Sequence, residues 1–425
     1  MERERDQARP GHESVEAPNG GARLPRPSAR LAALTSSALA LPGIAQADSP
    51  IDQAQASIAQ SYYKEDDISR NKFGGGDRER YEVQTTQLRF DIPATKRIDL
   101  GVQFLYEEMS GASPWFVSAN PQGDIVQVLS GATIEDERYD LTLDLDYYLE
   151  TGKDSFAWGF SKEKDYFSTH FSIGGDRNYN DKNTTLSLSG AFSYDWIETT
   201  DPEFSLARIA KGEKFSIDAF MGLSQILTRS TTGQVTINYK YSDGYLSDPY
   251  KAIQDVTGSS GLLPDVRPDT KHQVSILGRV RQHIEPLNAS VHLDYRFFAD
   301  TFKITSHTVE LAWYQNLFNW LTIAPTLRYY SQSKAEFYET VLPLNVVPKE
   351  RSSDFRLSPY GAVSARIKAE AEIRDIASAF DLILAFSYER YLSDGDYALT
   401  AVSEADEAPG LVKFQVFAGT ITGRF

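Results

Sequence analysis

The residues able to do chemistry in this chain stand two apart. Asp140, Thr142, Asp144 and Asp146 alternate with leucines in the run RYDLTLDLDYYL (138–149), and Ser290, His292 and Asp294 alternate with apolar residues in 287–297. Carboxylates two apart on one strand face lie about 7 Å from each other, too far to grip one ion without help from neighbouring strands. The acidic ladder therefore reads first as a hydrated wall and second as a cation path or calcium site. The Ser-x-His-x-Asp column has the residue types of an acyl-transfer triad. Its members stand in a line rather than converging, and alternating polar residues produce such triplets by chance. The remaining histidines after residue 47 (His170, His272, His283 and His307) lack metal-ligand spacing, and the chain has no cysteine, phosphate loop or haem motif. The expectation is no catalytic site, no metal site and no cofactor.

Basic residues repeat the same spacing. Arg279 and Arg281 share one strand face, and Arg296 follows Asp294 on another. Arg356 and Arg366, with Lys368, are expected to share a third. The candidate charge ladder is Asp140, Asp144, Asp146, Arg279, Arg281, Asp294, Arg296, Arg356 and Arg366. Opposed acidic and basic walls set up a field across a channel and select solutes by charge or dipole. A bulge would exchange the faces.

These side chains need strands to position them. Two-residue alternation recurs from end to end, in runs of nine residues or more such as 98–107, 186–196, 287–297 and 380–389. Soluble strands average about five or six residues, whereas a tilted strand crosses a bilayer with about 9–11. Sixteen strands are predicted: 56–65, 81–92, 97–109, 135–149, 153–163, 166–176, 184–197, 213–227, 231–244, 270–283, 287–299, 303–317, 319–331, 353–368, 376–391 and 409–425. Long connections (66–80, 110–134, 198–212, 245–269, 332–352, 392–408) alternate with tight ones. The connections near 164 and 300 are short exceptions, and DRNYNDKN is a longer one on the tight side. Segregation of loop length by parity is the pattern of a transmembrane barrel. The Asp-Gly pairs in YSDGY and SDGDY read as turns rather than as cation or lipopolysaccharide bridges. The segment 245–269, with Pro249, Pro264 and Pro268, either constricts the lumen or caps it.

Composition agrees. Hydrophobic residues are 41% of the 425, with 23 Tyr and 23 Phe, so strands and interfacial aromatic belts are favoured over membrane helices. A net charge of −16 argues against nucleic acid as a partner. Arg23, Arg26 and Arg30 precede the apolar run LAALTSSALALPGIA, which closes on Ala45-Gln46-Ala47. That is the form of a cleavable secretory signal, so residues 1–47 are expected to be an extension plus signal peptide, and 48–425 a single barrel domain. The final strand places Phe417, Ile421 and Phe425 on one face, resembling the signal read by the outer-membrane assembly machinery.

The stretches SGASPWFV, DKNTTLSLSG, YSDGYLSDPY, DVRPD, SHTVELAWYQ and RYYSQS, in that order, resemble a family of large Gram-negative outer-membrane β-barrels of unknown function. The resemblance implies a barrel and brings no substrate or catalytic residues. The expected fold is all-β, a transmembrane antiparallel up-and-down barrel of about 16 strands (14–18). It would sit in the outer membrane with both termini periplasmic, against outer-membrane lipid and lipopolysaccharide. The leading function is a porin-like channel for small polar solutes. The alternative is a sheath or scaffold for an envelope protein partner, redox proteins included. A surface hydrolase using the serine column stands third.

Overall fold

The computed structural model describes residues 51–120, 122–130, 136–199, 209, 211–255, 261–342, 346–376 and 380–425. The expected signal peptide lies outside the described residues. Twenty-one strands are found among them: β1 Gln55–Glu65, β2 Phe73–Gly75, β3 Glu82–Thr95, β4 Ile98–Ser110, β5 Pro114–Ala119, β6 Ile125–Leu129, β7 Asp136–Leu149, β8 Gly152–Lys162, β9 Tyr166–Tyr179, β10 Thr184–Glu198, β11 Lys211–Thr228, β12 Thr231–Gly244, β13 Ala252–Gln254, β14 Leu262–Pro264, β15 Thr270–Ile284, β16 Ala289–Asp300, β17 Thr305–Phe318, β18 Leu321–Gln332, β19 Tyr360–Ile376, β20 Phe380–Asp394 and β21 Lys413–Arg424. Sixteen of them close a ring in the order β1-β21-β20-β19-β18-β17-β16-β15-β12-β11-β10-β9-β8-β7-β4-β3. Every neighbouring pair in the ring is antiparallel, and β1 closes it between β3 and β21. The sixteen-stranded up-and-down barrel expected from alternation is the fold.

Fifteen of the sixteen predicted strands lie within four residues of an observed one at each end. The exception is 353–368, whose strand runs instead from Tyr360 to Ile376. Asp354 accepts a hydrogen bond from the Arg356 amide and caps a short 3-10 turn, Phe355–Leu357. Pro359 then supplies no donor, so the ladder starts after it.

The tight turns sit at the end where β1 begins and β21 finishes. There the Phe425 amide donates to the Ala54 carbonyl. The turn expected to be long is only 180–183, because Asn180, Asp181 and Lys182 all take left-handed backbone angles (φ 52, 53 and 67°). Asn and Asp tolerate that region best among residues with a side chain. Register irregularities at Pro93/Thr95, Ile226/Thr228, Asn316/Phe318 and Ile373/Ile376 also fall at this end.

The oily face of each strand points out. Leu100, Val102, Phe104, Leu143, Trp158, Phe171, Leu188, Met221 and Val235 are all exposed, while the alternate Asp99, Gln103, Thr142, Ser193, Asp195, Ser216 and Thr236 are buried. Rings bound this apolar band. At the long-loop end outward tyrosines donate to carboxylates: Tyr62 to Glu82 (2.8 Å), Tyr139 to Glu137 (2.9 Å) and Tyr241 to Asp243 (3.2 Å). At the opposite end stand Tyr179, Phe318, Trp320 and Phe425, each more than half exposed. A closed ladder with an apolar outside, a polar inside and amphipathic rings at both rims is a transmembrane barrel.

Long loops knit together over one mouth. β2, β6 and β5 form a small sheet, and β13 and β14 a hairpin. The hairpin loop joins 333–359 through paired backbone bonds between Val266 and Arg351 (2.9 and 2.7 Å). The Leu246, Phe302, Ile304, Ala335, Phe337, Tyr338, Leu357 and Ala408 side chains make a buried core between these loops. Phe355 reaches into the barrel mouth and packs with Tyr63, Val83, Phe414 and Tyr391 on the inner wall. The described residues of 245–269 thus belong to a folded cap. Asp243 and Gly244 are the last residues of β12 rather than a turn, paired across the sheet with Thr270 and Lys214. Gly244 takes φ 114°, where any Cβ would lie 2.3 Å from the Glu213 carbonyl oxygen.

Candidate functional site: a charged lumen under a folded cap

The acidic side of the lumen is built on β3, β4 and β7. Alternation puts Asp140, Thr142, Asp144 and Asp146 on the inner face of β7. Thr142 donates to Asp140 (3.3 Å), and Lys153 pairs Asp146 at 2.6 Å. Arg89 on β3 reaches over β4 to Asp144 (3.0 and 3.1 Å) and also pairs Asp91. Register lines up Asp91, Gly101 and Asp144 across three strands. Gly101 leaves the gap that the bridge fills, since a Cβ there would lie 2.2 Å from Asp144 Oδ2. Further toward the cap, Arg138 pairs Glu107 at 2.8 Å, both buried.

The basic side is built on β15 to β19. Arg279 (3.0 Å) and Arg281 both hold Asp294. Arg366 stands 3.8 Å from Glu310 and 3.9 Å from Glu389, and Lys368 pairs Glu370 at 2.7 Å. Arg296 is exposed on the inner face of β16, between Asp294 and Phe298, and has no ion-pair partner among the described residues. In the ring, β7 and β17 are eight strands apart out of sixteen, as are β4 and β16. Across the ring β7 thus faces β17, which carries Glu310 and no arginine, and the arginines stand on either side of it, on β15, β16, β18 and β19.

The serine column does not form a triad. Ser290 lies 3.4 Å from His283 Nδ1, the His292 ring lies 4.3 Å from that of Tyr314, and Asp294 is held by the two arginines. Arg356 corrects an expectation. It belongs to the 3-10 turn before β19 rather than to a shared face with Arg366, and it pairs Asp354 and Asp248 (2.8 Å). On β21, Phe417, Ile421 and Phe425 point outward.

Sequence reasoning missed the ionic core of the cap. The Asp354 carboxylate is fully buried and holds both Arg356 and Arg267 (2.9 Å), while Arg267 also holds Asp265 (2.7 Å). Burial pushes the Asp354 carboxyl up, but Arg356 and Arg267 outweigh it and hold it well below the usual carboxylate range. Lys251 is buried beside them, with its ammonium donating to the Pro114 carbonyl; burial lowers it to about 8. Elsewhere on the rim, Asp136, Glu163 and Asp165 bring carboxylate oxygens within 4.8 Å of one another. Burial pushes Glu163 up to about 8 against the pull of Arg138. Asp265 and Arg267, Asp354 and Arg356, and Glu163 and Asp165 stand two apart, but what joins them to one another and to Asp248, Lys251 and Asp136 is contact between separate loops, which no local spacing announces.

No curated protein matches the chain. Among solved structures, it is similar to a bacterial polysaccharide outer membrane secretin (10% identity, TM-score 0.47, covering 88% of this chain and 99% of that one). It is also similar to OpdK from Pseudomonas aeruginosa solved with vanillate (9%, 0.40, 88% and 99%). A third similarity is to the siderophore receptor PirA from Pseudomonas aeruginosa (10%, 0.39, 80% of this chain), of which the chain spans 56%. The chain is a transmembrane β-barrel by its own geometry, and such distant likenesses add nothing to that. The family model described as "Protein of unknown function (DUF3570)" matches residues 31–395, and the chain belongs to that family.

Proposed function

We propose that the protein is a porin-like conduit for small polar solutes, with both termini periplasmic and the cap facing outward. The observation that carries this reading is the charged wall of the lumen, with carboxylates on β3, β4 and β7 and arginines across the ring on β15, β16, β18 and β19. Sixteen strands enclose a lumen wide enough for water unless loops or a partner fill it. A field across such a lumen orients dipolar solutes and gives the walls their purpose in transport. The outward Phe417, Ile421 and Phe425 of β21 serve as the assembly signal, and the apolar band meets outer-membrane lipid, with lipopolysaccharide at the tyrosine-carboxylate rim. Purified protein in planar bilayers should open stable aqueous channels.

The knitted cap favours one other reading, a sheath whose mouth holds an envelope partner. A bilayer that stays silent with the intact protein, and stays silent after the cap is loosened, would remove the conduit reading and leave the sheath. Hydrolysis by the serine column has no geometric support, because its three members hold different partners.

A further inference from the structure

We propose that Arg296 and Arg328 form a binding site in the lumen, directly beneath the cap, for a small solute carrying an oxyanion such as a carboxylate or phosphate. The proposal deepens the conduit reading and rests on it for what the site is for. Ion pairing is the rule on the inner wall. Arg89, Arg138, Lys153, Lys214, Lys240, Arg279, Arg281, Arg366 and Lys368 each have a carboxylate within 4.0 Å. Arg296 and Arg328 break that rule, as neither has a carboxylate or hydrogen-bond partner among the described residues.

They are also neighbours. Register runs Arg296–Thr308–Tyr330 and Asp294–Glu310–Arg328 across β16, β17 and β18, so the two side chains leave adjacent rows of the same face. Their Cα atoms are about 12 Å apart, from two strand spacings and two rises. The charged groups around Arg296 are Arg328, Arg279, Asp294 and Glu310. Asp294 is already shared by Arg279 and Arg281, and Glu310 lies 3.8 Å from Arg366. Four arginines (279, 281, 296 and 328) thus face two carboxylates (294 and 310), an excess of two positive charges. Arg296 is exposed although protein surrounds it, so the space in front of it is open to water. Phe298, one step toward the cap, packs against the cap core. Guanidinium groups recognise oxyanions through paired charge-assisted hydrogen bonds, and two of them converging on one aqueous space make an oxyanion the fitting occupant.

The test uses the full folded barrel in detergent and inorganic phosphate as the probe, with binding read from phosphorus NMR line broadening and propionate as competitor. The expected result is saturable broadening, displaced by propionate and weakened about tenfold or more in R296Q/R328Q, since each lost charge-assisted bond alone accounts for that much. The K240Q control, at an inner-wall lysine of β12 that pairs with Asp218 outside the basic side, should bind like the wild type. Absence of saturable binding to the wild type, or equal binding by the double variant, overturns the site. Bilayer recordings on the same preparations separate the two readings. Conduction with unaltered phosphate binding in R296Q/R328Q sinks the site alone, whereas saturable, arginine-dependent binding in a bilayer that is silent both before and after the cap is loosened keeps the site and sinks the conduit.

Discussion

Replacing Asp354 with alanine should open the cap without dissolving the barrel. The Asp354 side chain has no exposed area, Arg267 is 6% exposed and Arg356 30%. Removing one partner of a buried ion pair costs about 3–5 kcal/mol, because the remaining charge stays uncompensated in a dry site. Arg356 keeps Asp248 and is partly solvated, and Arg267 keeps Asp265, so the lower end applies, about 3 kcal/mol. At 1.4 kcal/mol per decade this raises the open population roughly a hundredfold. Trypsin reads that population when opening and closing are fast relative to cleavage. The bonds to watch are Lys251–Ala252 and Arg356–Leu357, whose basic residues are engaged in the cap. Cleavage there should rise by about two orders of magnitude while the barrel keeps its heat-modifiable mobility on gels. D354N, which keeps hydrogen-bonding capacity but loses charge, should fall between. Wild-type cleavage rates at both bonds in D354A, with the barrel intact, would refute the view that this carboxylate locks the loops.

Two further outcomes follow from the same reasoning. Gly101→Val would drive a side chain into the Arg89–Asp144 bridge and cost about 1–3 kcal/mol, seen as a lower urea midpoint of tryptophan fluorescence. An unchanged midpoint would show that the bridge contributes nothing. Glu163 gives the pH dependence: burial raises its carboxyl from 4.5 to about 8, so between those values the folded chain holds a proton the unfolded chain has lost. Stability therefore falls as pH rises through that window, with the full penalty above pH 8. Glu163→Gln should protect the rim from proteolysis at pH 9 and make no difference at pH 4; equal loss of protection at pH 9 in both proteins would exclude Glu163 as the titrating group.

Much of the fold is legible one residue at a time. In 138–149 the leucines fall on one face and the carboxylates on the other, and this alone fixes strand, inside and outside. A two-residue period leaves no third arrangement. Turn chemistry was equally local: Asn180-Asp181-Lys182 carry the backbone freedom that reversal needs, whereas Asp243-Gly244 ends β12 without turning. Where a capping side chain competed with the alternation, as Asp354 does before β19, the boundary moved by seven residues. The acidic ladder could be named from sequence, but the Arg89 bridge across Gly101 could not, because it depends on register among three strands.

The sequence by itself therefore determined about sixteen long alternating strands, whose loop lengths segregate as in a transmembrane barrel, and the face of the charged rungs within them, since these follow from spacing along the chain. Arg356, which lies before its strand, is the exception. Only the tertiary structure decided which rungs meet. It set β7 opposite β17, left Arg296 and Arg328 without an ion-pair partner among the described residues, and drew Asp354, Arg267, Lys251 and Phe355 into one cap. Those relations depend on ring closure and on loops crossing space, and neither leaves a periodic trace in the chain.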